Sequence, residues 1–376
     1  MKNIVKISIA AAAFAFALAA CTDIENSTGG TGLKEGSDAT PDPIALMPLT
    51  YTPTKAIVTG TSFPDTLSIH AAAYFNEDTG TTAGTKYFAD IVFAKAQDST
   101  KWFPKYTYYW PIQGTLSMYA ITKNGKSDES EYNNVTVTFS DTDDKTFKIK
   151  VDKLEDDQDI LVGAHRNAKK TSDAMTFFHI GSLIEVQMAS SEDFTVQTGD
   201  NTDKMSGIAV THVQIDTVKL NIPEFVLTRG DNNDSLSFTP TVSDVSAAGD
   251  SASRVIFPKA SDTQDTLRLY KQTTKDMYIF GRSQDSLGQR VIVPAQKKTT
   301  MTIKYKLYNG NDGQASPELK CTVALPEIES QTDAKDKWLP GKKYTYKVTI
   351  TLDKITIDPS VSDWDNTDKE VTVQSN

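Results

Sequence analysis

Histidine is the side chain best suited to proton or metal chemistry near neutral pH, and this chain has four, at His70, His165, His179 and His212. None stands at ligand spacing from another His or from a Cys, so no metal motif is present. His179, within Phe177-Phe178-His179-Ile180, reads as a packed, hydrogen-bonded side chain. The run Glu155-Asp156-Asp157-Gln158-Asp159 has carboxylates of the kind that flank a glycosidase site. With 49 Asp and Glu in the chain, however, such a run is better read as a solvated turn. Gly230-Asp231-Asn232-Asn233-Asp234 has the residue types of a calcium loop but lacks the closing Glu. There is no Gly-rich phosphate loop and no Ser-centred elbow between strand and helix. These residues name no enzyme and call for no cofactor and no metal. Arg229-Gly230-Asp231 is the tripeptide that integrin-binding adhesins expose on a turn, and it follows the strand-like Phe225-Val226-Leu227. Three residues carry little information, and coincidence is the plainer reading.

The ends and the charge set the setting. Lys2 and Lys6 form a short positive region, and Ile7 to Ala20 is apolar and rich in alanine. That run is short for a bilayer span but fits the core of a signal peptide. It closes on Leu18-Ala19-Ala20-Cys21, which resembles the lipobox of bacterial lipoproteins, in which the Cys is acylated and becomes the new N-terminus. Lipid on Cys21 would tie the chain to an outer membrane, and the acidic Thr22-Asp23-Ile24-Glu25 loosely resembles a surface-export signal. The formal net charge is -10, and loss of Lys2 and Lys6 with the leader makes it -12. Such a surface repels phosphate backbones, so nucleic acid is not an expected partner. Only one other cysteine, Cys321, is present, so acylation of Cys21 leaves no intrachain disulfide. Cys321 shares a face with Leu319, Val323 and Leu325 and reads as a small buried hydrophobe.

Alternation dominates the rest. Tyr106 to Ile121 reads YTYYWPIQGTLSMYAI, in which Pro111 and Gly114 break the chain ahead of Leu116, Met118 and Ala120 on one strand face. Tyr119 and Ile121 make the second face apolar too, which predicts a central strand whose open end Trp110 and the tyrosines cover. Val135, Val137 and Phe139 pair in pattern with Phe147, Ile149 and Val151 across a polar turn, predicting a hairpin. Ile184, Val186 and Met188 form another strand, as do Met301 to Leu307 and, most cleanly, Tyr344 to Leu352. No stretch shows a long helical period. The expected fold is all-β, as two β-sandwich domains in tandem. The expected divisions are a signal peptide at 1–20, a flexible tether at 21–45, an N-terminal sandwich at 46–198 and a C-terminal sandwich at 199–376. The polar stretch 189–206 is the expected boundary and the expected first site of limited proteolysis.

Three separated stretches resemble one family, the fimbrillins. Tyr108-Tyr109-Trp110-Pro111 with Leu116-Ser117-Met118-Tyr119-Ala120 is similar to their YWP…LxFYAY segment. Asp159-Ile160-Leu161-Val162 and Phe178-His179-Ile180-Gly181-Ser182-Leu183 resemble their DLLVA and FxHxxSKI stretches, with Leu183 in place of the usual basic residue. Trp338-Leu339-Pro340-Gly341-Lys342-Lys343-Tyr344-Thr345-Tyr346, with Val361-Ser362-Asp363-Trp364 after it, resembles their C-terminal signature. The resemblance implies two transthyretin-like β-sandwiches and a subunit of a cell-surface fimbria, in a stalk, anchor or tip role, with no inherited catalytic residue. Trp338 and Trp364 then read as core plugs.

It also implies assembly with other fimbrial subunits by strand exchange. A trypsin-like protease cuts behind the first strand, and a strand of another subunit fills the groove. Here the first strand is expected near Leu49 to Thr52 and the cut at Lys55, where the family has Arg. Lys34 is a second basic candidate, and the tail with Val371 and Val373 is the candidate donor. Asp-Ser/Thr-apolar triplets at Thr66, Thr217, Ser235, Thr266 and Ser286 resemble an O-glycosylation acceptor of bacteria that make such fimbriae, although these residues are also common in turns. A host or bacterial surface ligand is the further expected partner. An alternative from another class is a glycan-binding surface lipoprotein beside an outer-membrane transporter, which an exposed row of Trp and Tyr on a flat face would favour.

Overall fold

Apolar residues two apart along short runs place the chain in strands, and in the computed structural model the described residues form 23 strands and no helix. Described are residues 42–363 apart from 51–66, 78–83, 97–98, 100, 125–133, 140–145, 156–157, 171–173, 199–202, 229–240, 243–250, 259–265, 272–289, 311–313, 332–333 and 352. In chain order the first nine strands are β1 Met47–Thr50, β2 Leu67–Asn76, β3 Thr85–Lys95, β4 Trp102–Pro104, β5 Thr115–Asn124, β6 Val135–Phe139, β7 Thr146–Val151, β8 Leu161–Ala168 and β9 Ala174–His179. There follow β10 Gly181–Ser190, β11 Thr195–Thr198, β12 Asp203–Lys219, β13 Ile222–Thr228, β14 Thr241–Val242, β15 Ser251–Phe257 and β16 Leu267–Arg268. The last seven are β17 Arg290–Pro294, β18 Gln296–Lys297, β19 Thr300–Asn309, β20 Leu319–Ala324, β21 Lys337–Trp338, β22 Lys342–Ile350 and β23 Ile355–Asp363.

The first sheet has the order β1-β9-β8-β5-β2-β3-β4, so β5 lies at its centre, as its two apolar faces require. Leu116, Met118 and Ala120 point into one core with Ile69, Phe93 and Phe177. Tyr119 and Ile121 point into another, shared with Phe147, Ile149 and Val151 of β7 and with Phe225 of β13. A second sheet, β14-β13-β7-β6, supplies that cover. The ring of Tyr119 stacks on Phe147 at 5.7 Å, and Phe147 is stacked in turn by Phe139 at 5.2 Å. The β6–β7 hairpin has the register expected from its alternation, with Val137 opposite Ile149 and Phe139 opposite Phe147.

The second pair of layers is a four-stranded sheet, β17-β10-β22-β23, over one built on β11-β12-β19-β20, with β15 and β16 also paired to β12. Ile184, Val186 and Met188 of β10 join Tyr344, Tyr346, Val348 and Ile350 of β22 in the core between them. Trp338 is fully buried there, and its indole N–H donates to the Tyr346 hydroxyl at 2.9 Å. Trp364, the other expected plug, lies outside the described residues.

Two strands cross the expected division in opposite senses. β10, before residue 198, runs parallel to β22 from Leu183↔Lys343 to Ser190↔Ile350. β13, after residue 199, pairs with β7 and puts Ile222 and Phe225 into the first half's core. The stretch 189–206 holds the buried end of β10, the buried Phe194 and the β11–β12 ladder, so its polar composition reflects exposed hairpin side chains rather than an open linker. The described residues fall within one compact unit that begins at Pro41. Two further expectations need correction. Cys321 is only half-buried, because β20 is the last strand of its sheet and Leu319 on the same face is exposed. Of the aromatic run, Trp110 is buried and Tyr108 packs on the core, but Tyr106 and Tyr109 are exposed.

Candidate functional site

The site begins at Asp42, where composition had placed the tether. Residues 42–45 are instead held by backbone bonds, because Ile44 and Leu46 are apolar and both fully buried. Ile44 N–H donates to Tyr108 O at 2.7 Å, and Trp110 N–H donates to Asp42 O at 3.0 Å. Leu46 and Trp102 of β4 exchange both bonds, at 2.9 and 2.8 Å. The chain then leaves β4 for the opposite edge of the sheet. There β1 runs parallel to β9, from Met47↔Ala174 to Thr50↔Phe177. This single segment therefore joins both edges of the first sheet and closes it, with Ile44 and Leu46 in the enclosed core beside Trp102, Trp110 and Phe177. An exposed ion pair, Lys170 Nζ to Asp42 Oδ2 at 2.6 Å, sits at its start and contributes little.

Removing the segment would take from Trp102 N–H and O their bonds to Leu46, from Tyr108 O its bond to Ile44 and from the β9 edge its pairing with β1, and would empty the places of two large aliphatic side chains. Each buried orphan polar group costs about 1–3 kcal/mol, so such a groove is complementary to another extended strand. The expected first strand, near 49–52, overlaps β1 but starts too late. The bridge through 43–46 escapes the alternation pattern because these residues pair with two different neighbours in succession.

Elsewhere the polar side chains hold structure together. His179 Nδ1 lies 2.8 Å from Asp159 Oδ1, and Glu155 N–H donates to Gln158 Oε1 at 3.0 Å, so the described part of the acid run is a turn that fixes His179. His70 Nδ1 meets Asp90 Oδ1 at 3.1 Å, and His212 Nε2 meets Gln214 Oε1 at 2.8 Å. Among the described residues no group of His, Cys, Asp and Glu could hold a metal. Glu185, on β10, is buried between Arg290 Nε at 2.8 Å and Lys343 Nζ at 3.0 Å. Burial alone would raise its pKa, but the Lys343 and Arg290 charges and the hydrogen bonds outweigh that and hold it below the usual carboxylate range. It is a clamp across β17, β10 and β22.

Of the O-glycosylation candidates, Thr217 is exposed on a β12 bulge with a left-handed φ of 54°, and Thr266 is half-buried just before β16. Cys21, Lys34, Lys55, Thr66, Arg229, Gly230, Asp231, Ser235, Ser286, Val371 and Val373 lie outside the described residues. The exposed aromatic residues among those described are Tyr87, Tyr106, Tyr109 and Tyr270, with no Trp.

The sheets and the site define a structural all-β protein, whose polar clusters brace strands. A family model for fimbrillin-like proteins matches residues 54–364, and the chain belongs to that family, which is fimbrial and not enzymatic. No curated protein sequence matches the chain. Among solved structures, it is similar to a fimbrial protein from Bacteroides vulgatus, with 15% identity over 86% of this chain and 100% of that one, at a TM-score of 0.49. It is also similar to the tip fimbrial protein Mfa3 from Porphyromonas gingivalis, with 9% identity, coverage of 86% and 100%, and a TM-score of 0.38. A fimbrial assembly protein from Parabacteroides distasonis matches with 11% identity, coverage of 89% and 100%, and a TM-score of 0.36.

Proposed function

We propose that this protein is a structural and adhesive subunit of a cell-surface fimbria, exported as a lipoprotein and built into the fibre by strand exchange. The observation that carries the proposal is the closing segment, in which one stretch near the N-terminus supplies both edge partners of the first sheet and two buried aliphatic side chains. In this reading Cys21 bears lipid that tethers the precursor to the outer membrane. Proteolysis behind β1, at Lys55, frees the segment, and a tail carrying Val371 and Val373 from another subunit takes its place. Cutting at Lys34 would release the anchor without opening the groove. The two pairs of layers correspond to the two tandem sandwiches, with β10 and β13 exchanged between them. Exposed Thr217 is the best placed of the described glycosylation candidates.

N-terminal sequencing of assembled fibres tests the assembly step, alongside mass spectrometry of the membrane-bound precursor. Fibres should begin at Ala56 and the precursor at an acylated Cys21, and Lys55→Ala should accumulate precursor and stop polymerisation. Fibre subunits that begin at Cys21, or normal polymerisation of the variant, would overturn the exchange and leave an anchor or accessory role.

A further inference from the structure

In the second half of the chain β20 and β23 are each the last strand of a sheet, and their ladders fix which backbone groups face outwards. Leu325 N–H donates to Thr299 O at 3.1 Å, one pair beyond the β19–β20 register. Bonded and non-bonded pairs alternate along an antiparallel ladder. Leu319, Cys321 and Val323 therefore spend their N–H and C=O groups on β19, and Lys320, Thr322 and Ala324 turn theirs away from it. Among the described residues no strand takes up that side of β20. On β23 the same alternation runs from the bond of Thr351 N–H to Lys354 O at 2.9 Å and puts Pro359 among the outward-facing residues. Proline has no N–H to offer there, so β23 is guarded in its middle and β20 is open.

The side chains of β20 suit one occupant of that edge. Leu319 is 36% exposed and Cys321 half-buried, and both share the face on which Val323 packs against the core. On the other face Lys320, Thr322 and Ala324 are exposed, and Thr322 Oγ1 lies 2.9 Å from Thr302 Oγ1 of β19. A second copy of β20, laid antiparallel and centred on Thr322, brings every outward residue of the strand opposite an outward residue of the other: Lys320 meets Ala324 on both sides of the centre, and Thr322 meets itself. Displaced by two residues one way, Ala324 falls opposite Glu318, outside β20, and Cys321 falls opposite itself. Displaced the other way, Lys320 falls opposite Pro326, which has no N–H to give. A larger slip sets Lys320 against Lys320, and like charges directly opposite are unfavourable. The strand is thus self-complementary about Thr322.

We propose that β20 is a pairing edge for a second copy of this chain, the two strands lying antiparallel about Thr322 and joining two sheets into one. Lys320 and Ala324 of opposite copies exchange both backbone bonds, and Thr322 does so with its own counterpart. Cys321 faces Val323 of the other copy in a non-bonded pair, where side chains approach most closely, and Leu319 faces Leu325, so the half-exposed apolar row is covered. Lys320 keeps the edge from indiscriminate pairing, since it accepts the register that gives it Ala324 and resists the one that gives it another Lys. With six residues a side the contact is small, so pairing is weak between free subunits and gains strength where a fibre holds many copies in line. The inference does not depend on strand exchange, since the closing segment belongs to the first sheet and β20 to another.

The test uses the chain from Thr22 onward, which lacks Cys21. Sedimentation velocity should show a monomer–dimer equilibrium that moves towards dimer as the concentration rises to about 1 mM. Ala324→Lys, which sets a second ammonium opposite Lys320 in both halves of the pair, should weaken the dimer roughly tenfold, and Lys320→Glu with Ala324→Lys should restore it. Oxidative linking with copper phenanthroline reads the register. Val323→Cys should give a dimer linked by two disulfides between Cys321 and the introduced thiol, and the wild-type chain, whose Cys321 lies diagonal to its counterpart, should link far less. Urea unfolding confirms that each variant is folded. A monomer at every concentration would overturn the proposal. So would a dimer that forms only after residues 364–376 are removed, because the chain's own tail would then hold the edge. An Ala324→Lys dimer as strong as the wild type, or a wild-type chain that links as well as Val323→Cys, would overturn it too, the last by setting Cys321 opposite itself.

Discussion

At the scale of single residues, the side chains that could have been catalytic instead hold the fold, and Lys298 shows what that costs. Burial lowers its pKa to about 8, with Asp336 and Glu327 pulling the other way. Below that pH both folded and unfolded chains carry the proton, and the folded chain bears the cost of a half-buried charge. As pH rises from about 8 towards 10.5, the folded chain sheds the proton first, so stability increases across that window. Tyr344, whose pKa burial raises to about 12, acts in the opposite sense and only above about pH 10, where the unfolded phenol ionises first. Between pH 8 and 10 the unfolding free energy from urea titration should therefore climb, by roughly 1 kcal/mol after allowance for solvent screening. Lys298→Met should lack the climb, and equal profiles for the two chains would show that the ammonium is solvated. Trp338 was legible from sequence because a Trp before a Pro-Gly turn and a strict alternation has one natural place, the core. The Glu185 clamp was not legible, because Arg290 and Lys343 lie far along the chain from it and no window of sequence holds all three.

At the scale of elements, alternation disclosed which strands exist and which faces they bury, as in β5 and the β6–β7 hairpin. It could not disclose partners, because a period of two fixes the face of a side chain and says nothing of the neighbouring strand. Hence β10 and β13 appeared to belong with their sequence neighbours, while their pairing takes β10 to β22 and β13 to β7. The closing segment was visible only in part and for the same reason, since it changes partner from β4 to β9 at Leu46. If that segment is an integral plug of the uncut chain, Leu46→Ala should cost about 2–5 kcal/mol, the range for deleting a fully buried Leu in a core that relaxes only partly. Equilibrium urea unfolding of the uncut chain measures this directly. A loss below about 1 kcal/mol would mean that the segment lies loosely on the sheet and that its departure would open little.

For the whole molecule, the question is whether the two cores are held by the covalent chain between them or by shared structure. The pairing argues for the second. β10 lies between β17 and β22, so the strand that ends the first half is central to a sheet of the second. β13 returns to the first half, Leu183 and Ile292 of the β10–β17 pair enter the first half's core, and Arg254 of β15 donates to Leu154 O across the same junction. Burial lowers the Arg254 pKa, against the pull of Glu155, so this guanidinium is held inside the junction rather than on the surface. A break in the chain between β11 and β12 would therefore remove connectivity without removing any of these contacts. A specific protease site inserted between Asp200 and Asn201, cut to completion, should yield two fragments that co-elute as one folded particle in gel filtration. They should separate only in denaturant, with the unfolding midpoint of the nicked protein lowered modestly and the transition still single. Fragments that part under native conditions, or two resolved transitions, would show that the halves are independent sandwiches joined by the chain alone.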